Sequence, residues 1–223
     1  NPTMNLLALT LRLAEHLNAT ATDILAAYIV GFEVDSRIGR GFPQGGPSLG
    51  FHSTGTIGCI AAAAATARLW KVPQAQIPDV IGISVSMAAG VGANFGTMSK
   101  PLHAGHAARD GIVATVLGHG GFTGSHTAIE GPGGFYECFV RGQPWTIEPF
   151  KDLGHSYDLA DRGYKIKRYS CGGLSHTAID AALELRDVLG PRVADIASIK
   201  VAVTNATARA ISRCALTEGR PRR

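Results

Sequence analysis

Five consecutive alanines, Ala61–Ala65, sit within GFHSTGTIGCIAAAAATARL, residues 50–69. A helix with side chains this short lets a neighbouring helix approach closely, so the segment predicts tight helix–helix packing. Ile57, Ile60, Ala61 and Ala64 recur at helical spacing and predict its inward face. Ser53 or Thr54, just after His52, can cap the start.

The surrounding segments read the same way. Leu6, Leu9, Leu13 and Leu17 fall on one helical face. TATD, residues 20–23, has the form of a capping-box start, followed by Ile24, Ala27, Tyr28, Gly31, Val34 and Ile38. GFPQGGPSLG, residues 41–50, reads as a loop because its prolines and glycines oppose regular structure. Pro73 and Pro78 bracket a turn before an apolar helix over about 79–90. Ser99 can cap a further helix, with Pro101 in its first turn and Ile112, Val113, Val116 and Leu117 continuing an amphipathic pattern.

The character changes after about residue 160. YKIKRY (164–169) alternates and predicts a strand, HTAIDAALELRDVL (176–189) a helix, VADIASIKVAVT (193–204) a second strand, and NATARAISRCAL (205–216) the start of another helix. The expected organisation is a helical domain over 1–161 and an α+β domain over 162–223.

Only 17% of the 223 residues are charged while 45% are hydrophobic, so much surface must be buried between layers or subunits. No apolar run reaches membrane-spanning length unbroken, and the N-terminus lacks the pattern of a signal peptide. The 4 cysteines are far apart with no CxxC, which suits reduced thiols in the cytoplasm. The net charge of +4 comes from dispersed residues without a nucleic-acid-binding motif, and suits a small polyanionic ligand. No dinucleotide fingerprint, P-loop or nucleophile elbow is present.

Chemistry concentrates in SKPLHAGHAARDG, residues 99–111. Lys100 falls in the first turn of a predicted helix, where a cation opposes the dipole; holding an anion there would explain it, and so would a solvated surface lysine. His103 and His106 share a face but lack a third metal ligand at credible spacing. Arg109 and Asp110 read as helix surface charges. His52, at a loop–helix junction, is a candidate general base or anion donor, or a packed core histidine. In YKIKRYSCGGLSH, residues 164–176, Lys165 and Lys167 share one strand face, Gly172 and Gly173 form a flexible turn, and His176 opens the next helix.

Three blocks, GFHSTGTIGCIAAAAATARL, GANFGTMSKPLHAGHAARDGIVATVLGHGGFTG and KIKRYSCGGLSHTAIDAALEL, resemble in content and order the MmgE/PrpD family. The resemblance covers nearly the whole chain, which corresponds to roughly the middle half of a member. It implies a mainly α protein: an all-helical large domain followed by part of a smaller α+β lid, assembled as a homodimer, with the site between the domains and no metal or organic cofactor. Its site residues fall on His52, Lys100 and Lys167 as catalytic groups, and on His103 as a substrate-binding group. In the decarboxylase branch a histidine follows the lid lysine; here Gly172 stands in its place, with His176 as the substitute, which disfavours decarboxylation.

Family reactions share the need to stabilise a carbanion beside a carboxylate. The resemblance therefore implies a lyase of the 2-methylcitrate dehydratase type acting on a small di- or tricarboxylate, with two alternatives: an imino- or amino-dicarboxylate epimerase, and a non-catalytic carboxylate-binding helical dimer. His52 as the proton-transfer group would give a pH profile with a limb near neutrality. The resemblance also implies that the 223-residue span alone is inactive and prone to association through apolar faces such as Leu6, Leu9 and Leu13, and through a strand edge at Val201 and Val203.

Overall fold

The computed structural model describes residues 3–43, 50–140, 142–204 and 207–208. It is mainly α-helical, with no strand among the described residues apart from isolated bridges. The chain forms two compact units, Asn1–Asn94 with Met98–Gly163, and Phe95–Thr97 with Tyr164–Arg223.

The first unit is built around α3 (Ser53–Leu69). The sequence pattern predicts one inward face, but every residue of α3 except Ser53 and Arg68 is buried. The short side chains explain this: α1 (Thr3–Leu17), α2 (Ala21–Gly41), α4 (Ile77–Ser86) and α5 (Ser99–His119) all pack on it. The approach of α5 is tight at Gly111, where a Cβ would stand 2.5 Å from the Ala62 Cβ and 2.6 Å from the Ala63 nitrogen. A larger residue at either side would push the helices apart.

The helix starts are partly as expected. Thr20 caps α2, accepting from the Asp23 N–H at 3.2 Å while its hydroxyl donates to the Asp23 carboxylate at 2.8 Å. The cap of α3 is His52 rather than Ser53 or Thr54, and that of α5 is Met98 rather than Ser99; neither side chain bonds the helix end. Pro78 lies within the first turn of α4, where its missing N–H leaves no helical bond unmade. The helix ends at Ser86 rather than near residue 90.

The inward face of α5 also differs from its aliphatic pattern. Its buried residues are His103, Ala104, Ala107, Gly111, Ala114, Thr115 and Gly118, whereas Val113 and Val116 are exposed. Proximity to α3 leaves room only for small groups. Leu6, Leu9 and Leu13 are buried against the neighbouring helices, so they do not form the exposed face expected of them. The exposed apolar residues of α1 are Met4, Leu7 and Leu11.

A buried ionic network fastens residues 149–159 to α2. Arg37, whose side chain is 0% exposed, donates to the Pro149 carbonyl, to Asp152 at 2.6 Å and to the Ser156 carbonyl at 2.7 Å. Glu33 accepts the Asp158 and Leu159 N–H groups at 3.0 Å each, at the start of α7 (Asp158–Asp161). Before this stretch, α6 (Phe135–Val140) places Phe135 and Tyr136 against Ile38, Phe42, Ile57 and Ile60.

In the second unit the expected helix forms as α8 (His176–Leu189), between 3-10 turns at Gly173–Ser175 and Gly190–Asp195. The two expected strands do not form. Residues 164–169 and 196–203 are irregular, and residues 193–195 belong to the second 3-10 turn. Alternation supplies a face but not the backbone partner that a ladder requires, and Ile166 and Val201 are exposed. Val201 and Val203 therefore form no strand edge. The helix expected from residue 205 lies outside the described residues except for Thr207 and Ala208. Cys59, Cys138 and Cys171 are free thiols; Cys214 lies outside the described residues. Among the described residues no helix is long and apolar enough to cross a membrane.

Candidate active site

Two short segments set the position of His52. Phe51 and Val91 form an antiparallel bridge, the Gly92 N–H donates to the Gly50 carbonyl, and the His52 N–H donates to the Gly90 carbonyl at 3.0 Å. The His52 carbonyl accepts from the Gly55 and Thr56 N–H groups at 2.8 and 3.1 Å, which starts α3. The backbone on both sides of the imidazole is thus fixed.

The ring meets His103 from the first turns of α5. The two Nδ1 atoms are 2.9 Å apart, with ring centroids at 5.2 Å. His103 is buried and His52 half-buried. Burial pushes His52 down to about 4, helped by the charges of His103 and Lys100. Burial and then His106 push His103 down as well. Both rings are therefore neutral near pH 7, so the proton limb expected near neutrality is displaced to about pH 4. Lys100 is the second residue of α5, a helix with no acidic residue in its first turn.

A cavity of about 300 Å3 adjoins His103 and is lined by Gly90, Asn94, Ser99, His106 and Asp110, among others. Asp110 was read from sequence as a surface charge, yet its side chain is only 14% exposed and pairs with Arg109 at 2.6 Å. The signal was available: His103, His106 and Asp110 stand at i, i+3 and i+7, one face of a helix. A larger groove of about 600 Å3 is lined mostly by apolar residues such as Val34, Ile60, Ala64, Ile77 and Ile81, with Arg68, Lys71 and Gln74 also in its lining.

His52, Lys100 and His103 lie in the first unit, and Lys167 and His176 in the second. Lys167 is exposed. His176 is the first residue of α8, with its ring edge-on to Tyr169 at 5.2 Å and its Nε2 buried without a hydrogen-bond partner. Tyr169 donates to Asp180 at 2.6 Å, which also pairs with Arg168. Gly172 caps the 3-10 turn in an extended conformation, with open space around it. Among the described residues no group of three or more His, Cys, Asp or Glu side chains gathers as a metal site would require.

Taken together, a fixed neutral histidine pair and a lysine on one helix end can exchange a proton and place positive charge near an anion. Comparison with known proteins bears on what this serves. Residues 1–148 match the MmgE/PrpD N-terminal domain. A cis-aconitate decarboxylase of Aspergillus terreus is 33% identical over 177 residues, covering 74% of this chain and 35% of that protein. The cis-aconitate decarboxylase of Homo sapiens is 28% identical over 170 residues, covering 74% and 34%. The cis-aconitate decarboxylase-like protein oryM of Aspergillus oryzae is 29% identical over 172 residues, covering 74% and 35%. The chain spans about a third of the length of these curated relatives. With two thirds of its residues accounted for by that domain, the chain belongs to the MmgE/PrpD family.

Proposed function

We propose that the protein is a lyase acting on a small di- or tricarboxylate through a carbanion formed beside a carboxylate. The observation that carries this reading is the His52–His103 contact next to Lys100: a neutral proton-transfer group and a cation held in one unit. His52 moves the proton. Lys100 stabilises the developing charge, which in a site shielded from water is the larger effect. Lys167 and His176, from the second unit, complete the reading as a second cation and a substrate-binding donor. The family resemblance extends it to a homodimer with no metal or organic cofactor, and the dispersed cysteines to the cytoplasm.

Two bond cleavages fit this scheme. Elimination of a β-hydroxyl, as in a 2-methylcitrate dehydratase, needs a base to start it. Loss of carbon dioxide needs no base to start it, since the departing group leaves the electron pair behind, but a proton must then be delivered to that carbon. The activity named for the relatives supports decarboxylation of a cis-aconitate-like acid. Gly172, where the resemblance leads one to expect a histidine in decarboxylases, supports the dehydratase.

The experiment is a substrate screen with the full-length protein in deuterated water. Carbon dioxide released from cis-aconitate supports decarboxylation; a new double bond formed from 2-methylcitrate or citrate supports dehydration. Deuterium uptake without net conversion would point to an epimerase instead. Binding without either signal would leave a carboxylate-binding protein and overturn the proposal.

A further inference from the structure

Residues 164–169 carry a strand's alternation but form no ladder, so backbone pairing does not hold Lys167 in place. A side chain two residues further on does. His176 and Asp180 stand at i and i+4 on α8 and so share one face. Tyr169 touches both. Its ring meets His176 edge-on, with centroids 5.2 Å apart, and its hydroxyl donates to Asp180 Oδ1 at 2.6 Å. The loop between the two rings, residues 170–175, is thereby closed at its base.

The phenol bond is the stronger of the ties at this point. Its length is that of a hydroxyl on an ionised carboxylate, a bond roughly twice as strong as one between neutral groups. Tyr169 is half-buried, so water competes less for it. The bond to Asp180 also pushes the phenol up from its ordinary value, so the donor keeps its proton. Arg168 reaches the same carboxylate oxygen at 3.3 Å and lies over the Tyr169 ring at 5.7 Å. Its side chain is 75% exposed, so this ion pair adds little.

We infer that Tyr169 is a positioning residue: its hydroxyl, bonded to Asp180, holds the segment bearing Lys167 against the helix bearing His176, so one side chain sets the spacing of the two. The inference rests on the proposed roles of Lys167 and His176. A ladder would spread this hold over several backbone bonds. Here it falls on a single phenol, which makes the placement of Lys167 sensitive to the loss of one oxygen atom.

The test uses the full-length protein labelled with 15N-lysine, with Lys167 assigned from Lys167→Arg. Tyr169→Phe keeps the ring against His176 and removes only the bond to Asp180. The order parameter of the Lys167 amide is expected at about 0.85 in the wild type and below about 0.6 in Tyr169→Phe. Asp180→Leu removes the acceptor instead and is expected to match it. In kinetics, Tyr169→Phe is expected to lower kcat/KM about tenfold by itself and less than about twofold when added to Lys167→Ala, because the bond acts through Lys167. A merely structural tyrosine would cost the same in both backgrounds, and equal losses overturn the inference. So does an ordered Lys167 in either folded variant. The order parameters are read without substrate. If Lys167→Ala leaves activity intact, the proposed role of Lys167 fails, while the order at Lys167 still decides whether Tyr169 holds the segment.

Discussion

Gly90 lies against the ring of His103: a Cβ at Gly90 would stand 3.3 Å from both Cγ and Nδ1. Its φ of +125° is one that residues with a side chain rarely adopt. The same glycine accepts the His52 N–H through its carbonyl, so one residue braces both histidines. Gly90→Ala is expected to lose about 1–3 kcal/mol of stability from backbone strain. It should also lower kcat more than the melting shift alone would suggest. A denaturant titration beside steady-state kinetics checks both, and wild-type behaviour in each would show that the brace does not matter.

Lys100→Ala is expected to fold normally and to lose at least about two orders of magnitude in turnover, near 3 kcal/mol, as removal of one electrostatic donor to a developing anion does. The fold should not suffer, because removing a cation from the first turn of α5 relieves an unfavourable dipole interaction. Circular dichroism and kcat measured on the same preparation separate the two effects. Near-normal activity would reduce Lys100 to a surface charge.

The pH profile follows from His52. Its pKa is about 4 in the folded protein, against 6.5 for a free imidazole, because burial, His103 and Lys100 all disfavour the charged ring. Activity that needs the neutral ring should therefore hold down to about pH 5 and fall through about pH 4 in the free enzyme. Stability runs in the same direction. Between 6.5 and about 4 the unfolded chain binds a proton that the folded chain does not. The contribution is thus complete above 6.5 and is lost as pH falls towards 4. His52→Gln should remove this limb of kcat/KM along with most of the activity; a limb that persists in the variant belongs to another group.

How far the sequence discloses the fold depends on where each element's information lies. The helices α1, α2 and α8 are legible because large apolar residues recur on one face, and Thr20 announces the start of α2 through a local bond to Asp23. In α5 the inward face is mostly alanine, glycine and threonine, so the aliphatic pattern is only half right: Ile112 and Leu117 pack against the core while Val113 and Val116 are exposed. The residues at 164–169 and 193–204 carry a strand's pattern, but pairing depends on a partner that no local pattern specifies. His52, Lys100 and His103 stood out by residue type and by family resemblance. Their geometry did not, because the meeting of His52 with His103 depends on the turn at Gly90, 38 residues beyond His52 in the chain. Asp110 is legible only from its spacing to His103 and His106, because a charged residue on a helix by itself reads as surface.

The ionic network of Arg37 was the least legible feature, and it leads to a prediction about stability. Its partners Pro149, Asp152 and Ser156 lie 112 to 119 positions away in the chain, so nothing near Arg37 marks it as buried. The guanidinium is 0% exposed and satisfies two backbone carbonyls, one carboxylate and, at 3.3 Å, Glu33. A methionine would fill similar space but leave those carbonyls without their donor and the buried Glu33 without its counter-charge, holding only the Asp158 and Leu159 N–H groups. Breaking a buried pair from one side costs about 3–5 kcal/mol. Asp152, 53% exposed on its side chain, can turn to water, which places the expected loss for Arg37→Met near the lower figure, about 3 kcal/mol. The comparison is Arg12→Ala, which breaks a pair whose side chains are 84% and 68% exposed and should change stability by less than about 0.5 kcal/mol. Urea titration of both variants in the full-length protein measures the difference. Proteolysis should also cut first within 148–162 in Arg37→Met, because Arg37 is among the α2 residues, with Glu33, Ser36 and Arg40, that bond this segment. Equal midpoints for the two variants would mean that the buried network orders this segment without stabilising the fold.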